Sequence, residues 1–290
     1  MSPYVPKEIT EEVNVTPVNP LVNLAYLMAT VAFVGALVYG SLGLIATRIA
    51  TRIDPKTEEN IGAAMTAAIS LQTAADDSRI AYLEDLLADL EANVPKTTLA
   101  EATYPPLKVS ILDTEVENAM VTAGSYLFVT DGLLQKVESE NELAFVLAHE
   151  LGHLQHRDPL KALGRSLVWV TLSSLLGLGQ GGDTIVRAAN LADLSYSRGQ
   201  ETAADDYALE LIATHYQHTD HSLGFFQRVQ AEEPDWGALS KVTEWQQSHP
   251  LTGDRIRRLD RTLDEKGWTA TGAATPLPEL IGCKNFEPCR

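Results

Sequence analysis

Between Val13 and Thr47 the chain carries no charged residue. The apolar part, Leu24 to Ala46, is about 23 residues and as an α-helix would rise roughly 34 Å, enough to cross the hydrocarbon layer of a bilayer. A buried core helix competes with that reading, but uniform apolarity over this length favours a membrane span. A cleaved signal peptide would be shorter and would follow a basic stretch, whereas Glu8, Glu11 and Glu12 precede this segment. Residues 1–20 are thus expected to be an N-terminal tail and residues 21–47 a single anchor in the lipid bilayer. Arg48, Arg52 and Lys56 follow the anchor while only Lys7 precedes it. That small bias puts the C-terminal body on the cytoplasmic side and leaves the exported side open.

The formal net charge is −17. Nucleic acid is therefore not an expected partner, because its binding requires phosphates to be neutralised by Lys and Arg. The chain's only two cysteines, Cys283 and Cys289, lie together near the C-terminus. They either clip a small tail loop or remain two thiols.

After the anchor, residues 57–98 read as a helical segment that packs on the main domain, and Val94-Pro95 interrupts its pattern. Leu107 to Asp113 alternates as a short strand does, and Asn118 to Thr130 reads as a second extended segment bent at Gly124. Helical patterns then dominate to about Lys266. The main domain is accordingly set at 99–266, with an irregular tail at 267–290. A small sheet followed by several helices is an α+β arrangement, here mainly helical and preceded by one transmembrane helix. A second apolar run, Leu167 to Leu178, is too short to span a membrane. It reads as a buried helix leading into the Gly-rich connector 177–183, with a lid over the site as the sharper alternative.

Within Leu143 to Asp158 stands His149-Glu150-Leu151-Gly152-His153. Ser139 and Glu142 form a capping-box signature that starts a helix just upstream, and Pro159 marks its end. At 100° per residue Leu143, Leu147, Leu151 and Leu154 form one stripe, with His149 and His153 nearly opposite and one turn apart. Both imidazoles can reach one ion, and Glu150 falls beside it as a general base would. Gly152 would leave room next to the metal. His156 is about two turns from His149, too far along the axis to share the ion, and reads as a helix-end residue. Downstream, Glu201 and Asp205 share a helical face. A carboxylate pair so spaced can divide its labour, one binding metal and the other fixing a ligand histidine's tautomer. His215, His218 and His221 read as surface histidines.

The combination His149-Glu150-x-x-His153 with Ser197-Arg198-x-x-Glu201-x-x-Ala204-Asp205 resembles the gluzincin family of the CAAX prenyl protease and the heat-shock membrane protease HtpX. Asn118-Ala119 resembles the strand lining that family's cleft, and Ser248-His249-Pro250 with Arg255-Ile256 resembles its late His-Pro…Arg motif. The matches cover roughly residues 105 to 260 in the family's order. Gly124-Ser125 departs from the Gly pair common there.

The resemblance implies a zincin-type fold and one zinc ion (Zn2+) per chain held by His149, His153 and Glu201, with Glu150 activating water and Asp205 orienting a ligand. It implies that His249 stabilises the oxyanion or caps the metal in a resting state, that Arg255 supports that region, and that Asn118 and Ala119 form the substrate strand. Protein or peptide substrates follow, in a membrane-anchored zinc endopeptidase acting on unfolded or membrane-proximal proteins. The alternative is a non-catalytic membrane adaptor that retains the fold. Peptide deformylase shares H-E-x-x-H but takes a cysteine ligand, which neither tail cysteine offers. A prenylated-peptide substrate calls for an intramembrane chamber that one anchor cannot build.

Overall fold

The computed structural model describes residues 19–50, 52–66, 77–93, 104–175, 196–231, 249, 253–268 and 271–283. The long uncharged run becomes α1 (Pro20–Ala50), exposed over most of its length and long and apolar enough to cross a membrane. At its foot Ala50 is buried with Ala123 and Leu160, and Ile53, Ile61 and Met65 pack against them. Among the described residues the expected helical segment holds α2 (Pro55–Thr66) and α3 (Arg79–Ala92). The interruption expected at Val94-Pro95 lies outside the described residues.

The second extended segment is a hairpin rather than one bent strand. Strand β1 (Lys108–Leu112) runs parallel to β3 (Tyr126–Thr130), and β2 (Ala119–Thr122) pairs antiparallel with β3, giving the order β1-β3-β2. In register, Ala119 faces Val129 and Thr122 faces Tyr126. The reversal needs positive φ at both Gly124 (79°) and Ser125 (60°). A glycine pair adopts such a turn without steric cost, whereas Ser125 does so against its own Cβ. Strand β2 is an edge strand, with no further strand beside it among the described residues.

Thr130 caps α4 (Asp131–Lys136), its hydroxyl accepting from Leu133 N. Ser139 caps α5 (Glu140–Gln155) by accepting from Glu142 N. Glu142 reaches one residue beyond the expected box, accepting from Glu138 N and pairing with Arg228. The helix is buried on every side from Asn141 to Leu154. Its leucine stripe lies in the main core, where Phe145 meets Phe226 edge-on at 5.3 Å between ring centres. His156 is the C-cap, and Pro159 sits in the first turn of α6 (Asp158–Leu175), which packs along α1. The connector 177–183, on which the lid reading rested, lies outside the described residues.

A complete capping box, Ser197 with Gln200, opens α7 (Arg198–Tyr216). Then come α8 (Gly224–Ala231) and α9 (Gly253–Lys266). Over its described residues 271–283 the tail is mostly irregular but tied down. Thr275 bonds the first turn of α5 through Glu140 N and the Asn141 side chain, and a short 3-10 turn (Glu279–Gly282) buries Ile281 in the core. Arg79, paired with Asp77 and Asp131, donates to the carbonyl of Cys283. Cys283 is disulfide-bonded, and Cys289 lies outside the described residues.

Among the described residues the most extensive helix pairing is α5 on α7. A Cβ on Gly152 would lie 2.9 Å from Ala204 Cα and 3.1 Å from its carbonyl oxygen. The space that sequence reasoning reserved for the metal is therefore taken up by the neighbouring backbone. Gly152→Ala should destabilise the fold by about 1–2 kcal/mol even though alanine is the better helix former. It should also weaken metal binding by pushing α7 outward. Denaturant unfolding with and without chelator, together with a metal titration, measures both effects.

Candidate metal centre

The α5–α7 contact brings the helix face carrying His149 and His153 against the face carrying Glu201, Ala204 and Asp205. All five side chains are buried, both histidines completely. His149 Nδ1 stands 3.1 Å from Asp205 Oδ1, and His153 Nδ1 stands 3.0 Å from Asp158 Oδ2. A carboxylate accepts, so each Nδ1 carries the donated proton and each Nε2 is turned the other way.

The two Nε2 atoms consequently face each other across 3.1 Å. Glu201 joins them, Oε1 lying 3.4 Å from His153 Nε2 and Oε2 3.6 Å from His149 Nε2. His249 completes the group, its Nδ1 3.1 Å from Glu201 Oε1 and 3.3 Å from His149 Nε2. Donor atoms of these four residues all lie within 4.8 Å of one another. Zinc bonds of about 2.0–2.1 Å to nitrogen would set neighbouring donors of a tetrahedral set about 3.4 Å apart. The observed separations match that spacing, so the donor set fits a zinc ion.

Such a ring of acceptors repels itself unless a cation stands among them, and in the metal-free protein a proton serves. Burial disfavours a charged His153, but hydrogen bonds to Asp158 and Glu201 outweigh it and raise its pKa to about 9. Burial keeps the pKa of His249 below the ordinary value despite the carboxylates nearby. Burial would also raise that of Glu201, yet the surrounding histidines hold it well below the carboxylate range.

Around the donors stands a second set of charges. Arg255, itself buried, pairs through Nη1 with Glu201 Oε2 (2.6 Å) and donates to both Asp205 oxygens (2.8 and 2.6 Å). Arg258 adds a bond to Asp205 Oδ2 at 2.9 Å. Against the opposing effect of burial, Arg255 and His149 keep the pKa of Asp205 far below the usual value. Arg255 thus braces the two carboxylates of α7. Glu150 is buried and neither of its carboxylate oxygens has a hydrogen-bond partner; His249 Nε2 stands 3.4 Å from Oε1. A buried carboxylate left so is costly, and a catalytic role toward a group that visits the site accounts for it.

Two neighbours escaped sequence reasoning. Asp158 does not stand out in the sequence, because Pro159 beside it reads only as a helix end. The signal available was an acid in the first turn after a helix that ends two residues beyond His153. Tyr196 stacks on His153, with ring centres 3.9 Å apart and planes 18° apart; nothing in its sequence context marks it. Asn118 is buried at the entry to β2, its backbone pairing with Thr130 while its Oδ1 has no partner, and Ala119 begins the edge strand. His215 contacts Asn93, and His221 contacts Asp220, away from the metal group.

Comparison with known proteins gives a match to peptidase family M48 over residues 86–263. The chain is 30% identical to the mitochondrial metalloendopeptidase OMA1 of Bos taurus, over 54% of this chain and 32% of that protein. It is 28% identical to a protease HtpX homolog of Campylobacter concisus, over 57% of this chain and 71% of that protein. It is 25% identical to the metalloprotease YcaL of Escherichia coli, over 56% and 64% respectively. The matches cover 32% to 44% of the length of four OMA1 relatives.

Zinc binding requires His153 to be neutral. At pH 7 it should release about one proton from the metal-free protein, and affinity should fall about tenfold per pH unit below about 9. Calorimetric titration in buffers of different ionisation enthalpy counts that proton; none released would contradict the arrangement.

Proposed function

The chain belongs to peptidase family M48, and on that premise we propose that it is a membrane-anchored zinc endopeptidase hydrolysing peptide bonds of unfolded or membrane-proximal proteins. The observation that carries the proposal is the buried Glu150 carboxylate, without a hydrogen bond, beside a donor set at zinc spacing. Relatives named metalloendopeptidase, protease and metalloprotease support the reaction class, and the exposed apolar α1 supports the anchor. A non-catalytic adaptor would have no use for Glu150 held in this state.

In this reading His149, His153 and Glu201 hold the zinc. Zinc, when bound, acidifies a water and polarises the scissile carbonyl. Glu150 takes a proton from the attacking water and passes it to the leaving amine. Asp205 keeps His149 in the tautomer that points Nε2 inward, and Arg255 holds Glu201 by one oxygen so that the other faces the site. An extended substrate would add to edge strand β2, which begins at Ala119 just after Asn118, main-chain bonds supplying affinity with little sequence preference.

For His249 the distances favour the resting cap over the oxyanion role, since its Nδ1 stands at the fourth donor position. A hydrolytic site needs that position open, so His249 must withdraw before catalysis. Glu150→Gln should keep zinc and lose cleavage of casein by 100-fold or more. His249→Ala should keep zinc and cleave at least as fast as the wild type. Loss of cleavage by a zinc-loaded His249→Ala protein would assign the oxyanion role instead.

The disulfide at Cys283 supports an exported, oxidising face for the body, against the weak preference of the flanking Arg48, Arg52 and Lys56. Protease added to intact cells should then degrade the body; full protection until the membrane is opened would return it to the cytoplasmic side.

A further inference from the structure

Asp158 has its place because of a contact that begins outside the family-matched segment. On α2, Glu58 is buried and ion-paired with Arg157, and Gly124 N lies at the 3.5 Å limit of a bond to its other oxygen. Arg157 is the residue on which the chain reverses between α5 and α6, with a φ of 56°. Few side chains tolerate that left-handed conformation, and it persists where the surroundings impose it. The next residue is Asp158, whose Oδ2 accepts a hydrogen bond from His153 Nδ1 while Oδ1 accepts from Lys161 at 3.1 Å. Two residues further, Leu160 is buried against Ala50 at the foot of α1. Asp158 is therefore bracketed on both sides by contacts with the anchor-proximal segment. It stands to His153 as Asp205 stands to His149.

We propose that Asp158 is a positioning residue for the metal ligand His153, and that Glu58, through Arg157, holds Asp158 in place, so that the anchor-proximal helix α2 is a working part of the metal centre. The inference rests on the reading of the site as a zinc centre. Loss of an outer hydrogen-bond partner commonly weakens zinc binding by 10–100-fold, because the ligand loses its tautomer and orientation. Glu58 acts one step removed, through the backbone at Arg157, so its loss should have the smaller effect.

The experiment uses the full chain in detergent, with zinc affinity read by competition with a chromophoric chelator and ligand geometry read from the visible spectrum of the cobalt(II)-substituted protein. Asp158→Ala should weaken zinc about 10–100-fold and shift the cobalt bands. Asp158→Asn, which can still accept the Nδ1 proton, should recover much of the affinity. Glu58→Gln should weaken zinc by about tenfold or less and shift the same bands. Glu59→Gln, which removes the neighbouring half-exposed pair with Lys108, should leave both readouts at wild-type values. Metal-free thermal unfolding identifies a misfolded variant; if Asp158→Ala fails to fold, Asp158→Leu, which fills the volume and cannot accept a hydrogen bond, takes its place with the same expected loss.

Wild-type affinity and cobalt spectrum in a folded Asp158→Ala or Asp158→Leu protein would overturn the proposal. An effect at Asp158 with none at Glu58 would overturn the part assigned to α2. Equal losses at Glu58 and Glu59 would do the same by making the effect a general loosening of α2. A wild-type chain that binds no zinc would fail the metal-centre reading itself, an outcome distinct from wild-type binding that is indifferent to these substitutions.

Discussion

Because Gly152 has no side chain, the backbone of α7 lies against α5 at Ala204, closer than any Cβ would permit. The distances at the centre follow from that approach. It sets Glu201 opposite His153, and Asp205 opposite the outer nitrogen of His149. Both helices are buried along this contact, so their separation is set by close packing and cannot relax into water. The leucine stripe and the aromatic pair Phe145–Phe226 hold α5 from its other side.

Close approach of so many polar groups is tolerated because those on α7 have defined partners, Glu150 of α5 being the exception. Asp205 is met by Arg255 and Arg258 as well as by His149, and Glu201 is shared between Arg255 and the histidines. Removing one member of such a buried set strands the others without solvent, which is why these networks are destabilised far more by truncation than surface pairs are. The same condition explains why the centre requires a cation. Carboxylates fix both Nδ1 protons, so the inward nitrogens have only lone pairs to present until a proton or a metal ion arrives. An anchor lying against this assembly then has a physical route to it. The foot of α1 and the carboxylate of Glu58 both bear on the short reversal that leads to Asp158.

Much of this arrangement was legible in the residues. The spacing of His149 and His153, the cap at Ser139, the i, i+4 pair Glu201 and Asp205, and the uncharged run after Val13 each carry their meaning locally, because helix periodicity turns spacing into direction. Other features were not legible. One extended segment with a bend became the hairpin β2–β3, since the pairing partner of a strand is set by contacts across the fold. Gly152 was assigned to the metal when it serves helix contact, and the tail that reads as irregular contributes Ile281 to the core.

By itself the sequence determined which groups could take part: two imidazoles one turn apart, a carboxylate between them, a carboxylate pair further on, and one segment too apolar for water. Only the tertiary structure decided how they are used. That His249 stands at the fourth donor position and that Asp158 holds His153 depend on residues from separate elements meeting at hydrogen-bond distance. That Arg255 braces both carboxylates and that Glu58 reaches Arg157 depend on the same thing. Periodicity gives the direction of a side chain about its own helix axis. What lies in that direction depends on how neighbouring helices pack, and here a single missing Cβ lets them come close.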